Sequence, residues 1–167
     1  MNDDLYHVVE IDGKGLGCVA TKDVKMGNVI LRETPELPIC LANEAGRIIW
    51  SPKSVMDLLA HFNSMNQNDQ TEYLSLYDKF DYLNVLPLEQ KLELEKCLEE
   101  RKMLLSHIEQ TKDKAEKILK IFNIYEPNSF EGGVCIKLSR FNHSCRPNAF
   151  TVITFGSQIG MCIFSTI

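Results

Sequence analysis

At residues 140–149 the chain reads Arg140-Phe141-Asn142-His143-Ser144-Cys145-Arg146-Pro147-Asn148-Ala149. This segment gathers amide, imidazole, thiol and guanidinium groups between apolar stretches. A buried amide or imidazole costs free energy unless it finds a hydrogen-bond partner, so ordinary core segments rarely have this composition. The cluster therefore predicts either a preorganised polar site or a heavily hydrogen-bonded turn.

A glycine-rich segment near the N-terminus is the second informative feature. It reads Gly13-Lys14-Gly15-Leu16-Gly17 and precedes a strand-like stretch. Because no helix follows it, the segment is not a Rossmann fingerprint, which needs a helix N-terminus for a pyrophosphate. By itself it is typical of a turn. Its functional interpretation is that the backbone near Gly13, Lys14 and Leu16 approaches a ligand, with Lys14 pairing with a ligand carboxylate.

The residues flanking these two segments predict strands. Leu5 to Ile11, Cys18 to Ala20 and Val29 to Glu33 are the N-terminal candidates, and Pro35 and Pro38 close that region. The C-terminal candidates are Val134 to Leu138 and a hairpin of Phe150 to Phe155 with Gly160 to Phe164. We expect the two β regions to pack together across the segment between them.

That middle segment has helical periodicity. The pattern predicts Ser51 as an N-cap with Pro52 at the first helical position. A short helix should follow Asn68-Asp69, with Tyr73, Leu74 and Tyr77 facing inward. Pro87 begins a longer helical stretch that reaches about Phe122 and that Thr111 divides into two helices. From Tyr125 the chain becomes loop-like. Apolar positions recur along one face of these helices: Val55, Leu58, Leu59, Phe62, Met65, Leu88, Leu92, Leu98, Leu105, Ile108, Ala115, Leu119 and Phe122.

The composition narrows the function classes. The 167 residues carry a net charge of −5 with 44% hydrophobic residues, which argues against direct nucleic-acid binding, since that needs a basic face. Neither a secretory signal nor an apolar run long enough to span a bilayer is present in the sequence. The six cysteines are scattered singly, so no local zinc site can be assembled and we expect free thiols in an intracellular protein of the nucleus or cytoplasm.

The two motifs together resemble those of the SET-domain protein-lysine methyltransferases. The matching residues are Gly13-Lys14-Gly15-Leu16 and Asn142-His143-Ser144-Cys145-Arg146-Pro147-Asn148. The stretch from Val19 to Gly27 is similar to the family's Ala-Thr-Lys-Asp-Ile-x-x-Gly segment. Asn128-Ser129-Phe130 precedes the second motif as in split-SET proteins, in which a helical insertion divides the domain, although the cysteine-rich MYND zinc finger is lacking.

The resemblance implies an α+β fold with small β-sheets from both ends of the chain: residues 1–42, a helical insert at 43–125, and residues 126–167. It also implies that S-adenosylmethionine is the cofactor and that the substrate is a protein lysine, with histones as one candidate. Asn142 would bind the cofactor's amino-acid portion, His143 would meet the adenine through its backbone, and Arg140 and Phe141 would line the adjoining strand. The implied cofactor-binding set is Gly13, Lys14, Gly15, Leu16, Arg140, Asn142 and His143.

The same resemblance implies a further segment. In the family, a Gly-Glu-Glu turn leads to a catalytic tyrosine, and no tyrosine of this sequence lies in that context. We therefore expect a C-terminally truncated SET domain with little or no activity and assign no catalytic residue or metal ligand. Cys145 matches a family zinc-ligand position, but we expect a packed thiol. Two alternatives stay open: a non-catalytic SET-like binding module, and an interaction adaptor that uses the helical segment 87–122.

Overall fold

The computed structural model describes residues 5–37, 50–108, 112–130, 133–154 and 158–163, without the side chains of 112, 113, 153, 154 and 158–163. The chain divides into two compact units. The β unit comprises Met1–Glu36 with Ser129–Ile167, and the helical unit comprises Leu37–Asn128. The predicted α+β class is confirmed. The helical unit extends beyond the expected boundary at 125 because its last helix continues to Asn128.

A two-stranded antiparallel hairpin begins the β unit. Strand β1 (Tyr6–Ile11) pairs with β2 (Gly15–Ala20), and Ile11 lies opposite Gly15. The turn between them needs a left-handed backbone, with φ of 68° at Gly13 and 65° at Gly15, which glycine adopts without a Cβ penalty. Strand β2 therefore starts at Gly15, three residues before the predicted Cys18.

A three-stranded antiparallel sheet joins the two ends of the chain. Its order is β3 (Val29–Glu33), β7 (Gln158–Ile163) and β6 (Ala149–Thr154). Since β3 comes from the N-terminal region and pairs with β7, the expected packing of the two β regions is confirmed. The predicted hairpin is also confirmed, with its strands beginning slightly earlier than expected.

The predicted strand from Val134 to Leu138 is wrong. A short pair of strands, β4 (Ser129–Phe130) and β5 (Gly133–Val134), is followed by a turn and a 3-10 segment at Leu138–Arg140. The reason is tertiary, because the backbone N–H groups of Lys137 and Leu138 donate to the Glu33 carboxylate instead of a neighbouring strand. The turn packs through Cys135 and Leu138 against Ile30 and Leu31, which form one buried cluster.

The helical unit contains helices α1 (Pro52–Ser64), α2 (Gln67–Leu74), α3 (Leu88–Ser106) and α4 (Lys112–Asn128), with a 3-10 turn at Leu83–Val85. The predicted start of α1 is confirmed. The Ser51 hydroxyl accepts from the Ser54 N–H at 3.1 Å, and the Ser51 N–H donates to the Ser54 hydroxyl at 2.8 Å. This reciprocal capping satisfies two donors that the first turn otherwise leaves unpaired.

Three expectations about the helical unit are corrected. Tyr77 is 49% exposed and stacks on Tyr82 at a centroid distance of 5.5 Å, whereas Tyr73 is fully buried. Leu88 and Leu92 are 72% and 56% exposed, because the buried face of α3 contains Arg101 and Leu105. Helix α4 continues past Tyr125, and the Asn128 side-chain amide donates to the Ile124 carbonyl at 2.6 Å in its last turn. The proposed divider Thr111 lies outside the described residues.

Within the described residues, no helix is both long enough and apolar enough to cross a membrane.

Candidate functional site

The Asn142 side chain lies directly on strand β2 of the glycine hairpin. A Cβ atom added to Gly17 would collide with the Asn142 Nδ2 atom and would lie 2.5 Å from Ile11 Cδ1. Both distances are shorter than real Cβ contacts, so a side chain at this position would displace the ends of the Asn142 and Ile11 side chains. Gly17 is needed for space, in contrast to Gly13 and Gly15, which are needed for their positive φ. The two sequence motifs therefore meet at the Gly17–Asn142 contact.

An aromatic pair holds the neighbouring part of the same segment. The Phe141 ring packs on Tyr6 of β1, with ring centroids 5.2 Å apart and an interplanar angle of 58°. Edge and tilted aromatic pairs add about 0.5–1.5 kcal/mol to the stabilisation from buried area. Phe141 is thus anchored to one strand of the hairpin and Asn142 rests on the other, which fixes the direction in which the following residues leave.

The residues that follow this anchor are exposed. Asn142, His143, Ser144 and Cys145 are all exposed to solvent, so His143 is not a buried core histidine. The expectation that Cys145 is a packed thiol is wrong, since its sulfur lies at the surface 3.5 Å from His143 Nε2. The segment therefore presents its polar groups outward instead of satisfying them in the core.

Arg140, which leads into this exposed segment, lies near Cys18 of β2. Burial raises the pKa of the Cys18 thiol to about 11, although the positive charge of Arg140 acts in the opposite direction. At neutral pH the thiol is therefore protonated, and it is not a nucleophile. Cys18 serves as a small packed side chain between Gly17 and the cavity described next.

A cavity of about 500 Å³ opens within the β unit beside the Phe141 anchor. Its wall is mainly apolar, and Lys22, Asp23 and Asn148 contribute the polar part. The apolar part includes Leu5, Tyr6, Cys18, Val24, Ile30 and Phe141. The cavity is lined by Cys18 and Phe141, which are the sequence neighbours of Gly17 and Asn142.

The predicted cofactor-binding residues occupy three places in the β unit. Gly13 and Lys14 form the exposed hairpin turn, where the Lys14 N–H donates to the Ile11 carbonyl at 2.9 Å. Gly15 and Leu16 begin β2, and Leu16 is 45% exposed. Arg140 ends the 3-10 segment that leads to the exposed Asn142 and His143.

Sequence reasoning missed two residues of this region. Gly17, one position beyond the predicted set, makes the close approach to Asn142. The third glycine of the motif could have indicated it, since a glycine in a strand often marks a close backbone approach. Glu33 contacts residues 104 and 105 positions away, and no local pattern indicates that contact.

Comparisons with known proteins are consistent with this geometry. The model of the SET domain family matches residues 15–167. The crystal structure of the SET domain of LSMT bound to lysine and AdoHcy has a similar fold, with a TM-score of 0.57 at 16% sequence identity. The match covers 98% of this chain and 46% of that chain, so the present chain spans about half of its length. No curated protein matches the sequence.

Proposed function

This chain belongs to the SET-domain family, and from that premise we propose that it forms part of an S-adenosylmethionine-dependent protein-lysine N-methyltransferase. The observation that carries the proposal is the Asn142 amide, which rests on Gly17 within an otherwise exposed polar segment. The division of the SET residues by a helical unit supports the split-SET type.

The residues of the β unit fit the chemistry of this cofactor. A carboxamide offers both donors and an acceptor, which suits a zwitterionic amino-acid group, and Asn142 is exposed. Lys14 in the exposed turn offers a cation for the ligand carboxylate, and His143 offers its backbone beside Asn142. Gly13, Gly15 and Leu16 contribute backbone groups, and Arg140 ends the 3-10 segment that leads to Asn142. When bound, the cofactor supplies an electrophilic methyl group on a sulfonium centre.

The apolar cavity is the proposed site for the aliphatic chain of the acceptor lysine. An amine must be deprotonated to accept a methyl group, and its pKa is ordinarily about 10.4. Apolar walls such as Val24, Ile30 and Phe141 disfavour the ammonium form and so favour the neutral amine. The net charge of −5 suits a basic protein substrate, of which a histone is one candidate.

We assign no catalytic tyrosine. Of the five tyrosines, Tyr6 alone lies in the β unit, where its ring packs on Phe141, and the others lie in the helical unit. We therefore expect the 167-residue polypeptide to bind the cofactor but to transfer methyl groups slowly or not at all. Slow methyl transfer would favour the methyltransferase, whereas the alternative of a non-catalytic SET-like binding module predicts binding with no transfer at all.

Calorimetric titration with S-adenosylhomocysteine tests the proposal. Wild-type protein should bind, and Asn142→Ala should weaken binding by about 10-fold because a charge-assisted hydrogen bond is lost. Asn84→Ala is the matched control, since Asn84 is exposed in the helical unit and should leave the dissociation constant unchanged. Absence of wild-type binding, or equal affinity of Asn142→Ala and wild type, would reject the proposed cofactor site.

A second candidate function is protein docking through α3. Leu88 and Leu92 lie one helical turn apart and are both largely exposed, and exposed apolar residues on one face often mark an interaction surface. Helix α3 contains five glutamates against Lys91, Lys96, Lys102 and the buried Arg101, so its exposed surface is mildly acidic and the partner would be a basic amphipathic segment.

The double substitution Leu88→Ser and Leu92→Ser tests this second candidate, using a synthetic Lys- and Leu-rich amphipathic peptide as the probe. The peptide should bind wild type and the exposed-surface control Met56→Ser equally, and the double variant more weakly. Equal binding to all three proteins would reject docking through α3. If the molecular mass of wild type and of Met56→Ser rises with protein concentration while that of the double variant does not, the surface would instead mediate self-association.

A nuclear or cytoplasmic location is also part of the proposal. It is supported by the free thiols of Cys18, Cys97, Cys135 and Cys145 in the described part of the chain, since oxidising compartments favour disulfides.

A further inference from the structure

Glu33 makes a long-range side-chain contact in the β unit. It is the last residue of β3, and its two carboxylate oxygens accept the Lys137 N–H at 3.0 and 3.1 Å. One of those oxygens also accepts the Leu138 N–H at 3.0 Å. A single carboxylate thus satisfies two successive backbone donors at the start of the 3-10 segment Leu138–Arg140.

Further hydrogen bonds continue from this contact to the proposed cofactor site. The Ser139 N–H and hydroxyl both donate to the Cys135 carbonyl, at 2.9 and 2.7 Å. The Arg140 N–H donates to the Lys137 carbonyl at 3.1 Å, and the Phe141 N–H donates to the Leu138 carbonyl at 3.0 Å. The turn is therefore bonded at every step up to Phe141, the residue immediately before Asn142.

The other end of the contact is also held in place. Glu33 lies opposite Ile159 in the β3–β7 pairing, and its strand neighbour Leu31 is 5% exposed. Glu33 is itself partly buried, so its carboxylate is partly shielded from water. The side chain thus links a paired strand to the turn that delivers Asn142 onto Gly17.

We propose that Glu33 is a positioning residue for cofactor binding, acting through the Lys137 and Leu138 amides to hold Asn142 in register on Gly17. The proposal rests on the proposed function for the identity of the ligand, whereas the link from Glu33 to Asn142 depends only on the contacts above. Glu33 itself does not touch the cofactor in this proposal.

The chemistry explains why a carboxylate is suited to this position. The two carboxylate oxygens of Glu33 can accept both N–H groups of the turn. A glutamine side chain has one acceptor oxygen, and its NH₂ group would face the backbone N–H donors without being able to accept from them. Burial raises the pKa of Glu33, and hydrogen bonds from Lys137, Leu138 and Ile136 act in the opposite direction. The backbone donors therefore specifically favour the ionised form.

The test compares Glu33→Ala and Glu33→Gln with the control Glu36→Ala. Glu36 is exposed and lies three residues later, so its substitution changes the net charge equally without removing these bonds. We expect S-adenosylhomocysteine affinity to fall by about 10-fold in Glu33→Ala, because charged hydrogen bonds to the turn are lost, with Glu33→Gln between it and wild type. Glu36→Ala should bind as wild type does.

A nuclear magnetic resonance measurement on the ligand-free proteins gives a second readout. In Glu33→Ala the Lys137 and Leu138 amides should lose protection from hydrogen exchange, and the Asn142 side-chain amide resonances should shift. Unchanged Asn142 resonances in Glu33→Ala would overturn the positioning role, as would wild-type affinity in that variant. If Glu33→Ala does not fold, the same criteria apply to Glu33→Gln.

The two proposals fail in distinguishable ways. If wild type does not bind S-adenosylhomocysteine, the proposed function fails, and the Asn142 resonances alone decide the role of Glu33. If wild type binds S-adenosylhomocysteine and both Glu33 variants are folded and bind it with wild-type affinity, the proposed function stands and the positioning role is rejected.

Discussion

The two units treat their polar side chains in opposite ways. In the helical unit, Arg101 is 5% exposed, and its guanidinium donates to Asn123 Oδ1 at 2.9 Å and pairs with the Glu126 carboxylate. In the β unit, Asn142 and His143 are exposed, and the Asn142 amide lies against Gly17 of β2. Buried polar groups that are fully partnered support a fold, whereas exposed polar groups on a fixed backbone are free to bind a ligand. The contrast separates a structural cluster from a candidate site.

Aromatic rings complete the cluster in the helical unit. The Arg101 guanidinium lies over the Phe122 ring at 4.5 Å and over the Phe80 ring at 5.2 Å from their centroids. Lys79 adds a second cation on Glu126, with a distance of 2.7 Å between Nζ and Oε2. These groups join α3, α4 and the connection after α2, which explains how a helix with two exposed leucines is still held in the unit.

The largest expected effect is on stability, in the helical unit. Arg101→Ala should lower the free energy of unfolding by about 3 kcal/mol, because it removes the buried guanidinium that binds Asn123 Oδ1 and the Glu126 carboxylate and leaves that carboxylate with Lys79. Urea denaturation followed by circular dichroism measures the loss. Lys102→Ala is the control, since Lys102 pairs with Glu99 at the surface and should cost about 0–1 kcal/mol. Similar losses in both variants would mean that the Arg101 cluster is not structural.

The next effect concerns ligand binding in the β unit. Gly17→Ala should weaken S-adenosylhomocysteine binding by at least about 10-fold, because displacing the Asn142 amide forfeits its charge-assisted hydrogen bond. Gly27→Asn is the control, because asparagine tolerates the left-handed conformation, nothing lies within 4 Å of an added Cβ there, and Gly27 is not among the proposed cofactor-binding residues. Calorimetric titration compares the two variants. Wild-type affinity in Gly17→Ala would contradict the idea that the glycine provides space for Asn142.

A smaller effect is expected from a buried hydroxyl. Tyr73 donates its O–H to the Ile121 carbonyl at 2.7 Å, and burial raises the pKa of this phenol far above its usual range. Tyr73→Phe should cost about 1 kcal/mol in thermal or chemical denaturation, since one buried hydrogen bond is lost. In Tyr82→Phe, where the ring is 48% exposed, stability should not change measurably. Unchanged stability in Tyr73→Phe would show that this hydrogen bond contributes little to the free energy of unfolding.

The smallest effect is a pH dependence. Burial alone would raise the pKa of Glu126, but the Lys79 hydrogen bond and the Arg101 charge outweigh it, so the pKa lies below 4.5 in the folded protein. Its contribution to stability is therefore present above pH 4.5 and is lost as the pH falls through the folded pKa. Denaturation midpoints between neutral and acidic pH should fall less steeply in Glu126→Gln than in wild type. Parallel pH profiles would contradict this assignment.

Local features were predictable from the sequence. Ser51 and Pro52 specify the start of α1 because a capping hydroxyl and a fixed φ act within one turn. The strand Val29–Glu33 and the late hairpin were likewise found from short-range patterns. The end of α4 was not predictable in this way, because Pro127 is a local signal for a break in the helix. In the structure the Asn128 side-chain amide donates to the Ile124 carbonyl and also to the Tyr77 carbonyl. That second contact spans 51 residues, beyond any local pattern.

For the candidate site, the sequence by itself determined the chemistry: which segment carries the amide and imidazole, and that a glycine-rich hairpin accompanies it. Only the tertiary structure decided which glycine meets Asn142, that His143 and Cys145 face solvent, and that Glu33 holds the turn at Lys137 and Leu138. The physical reason is that side-chain chemistry and turn geometry belong to neighbouring residues, whereas a close approach or a carboxylate contact depends on strands that meet after more than a hundred residues of intervening chain.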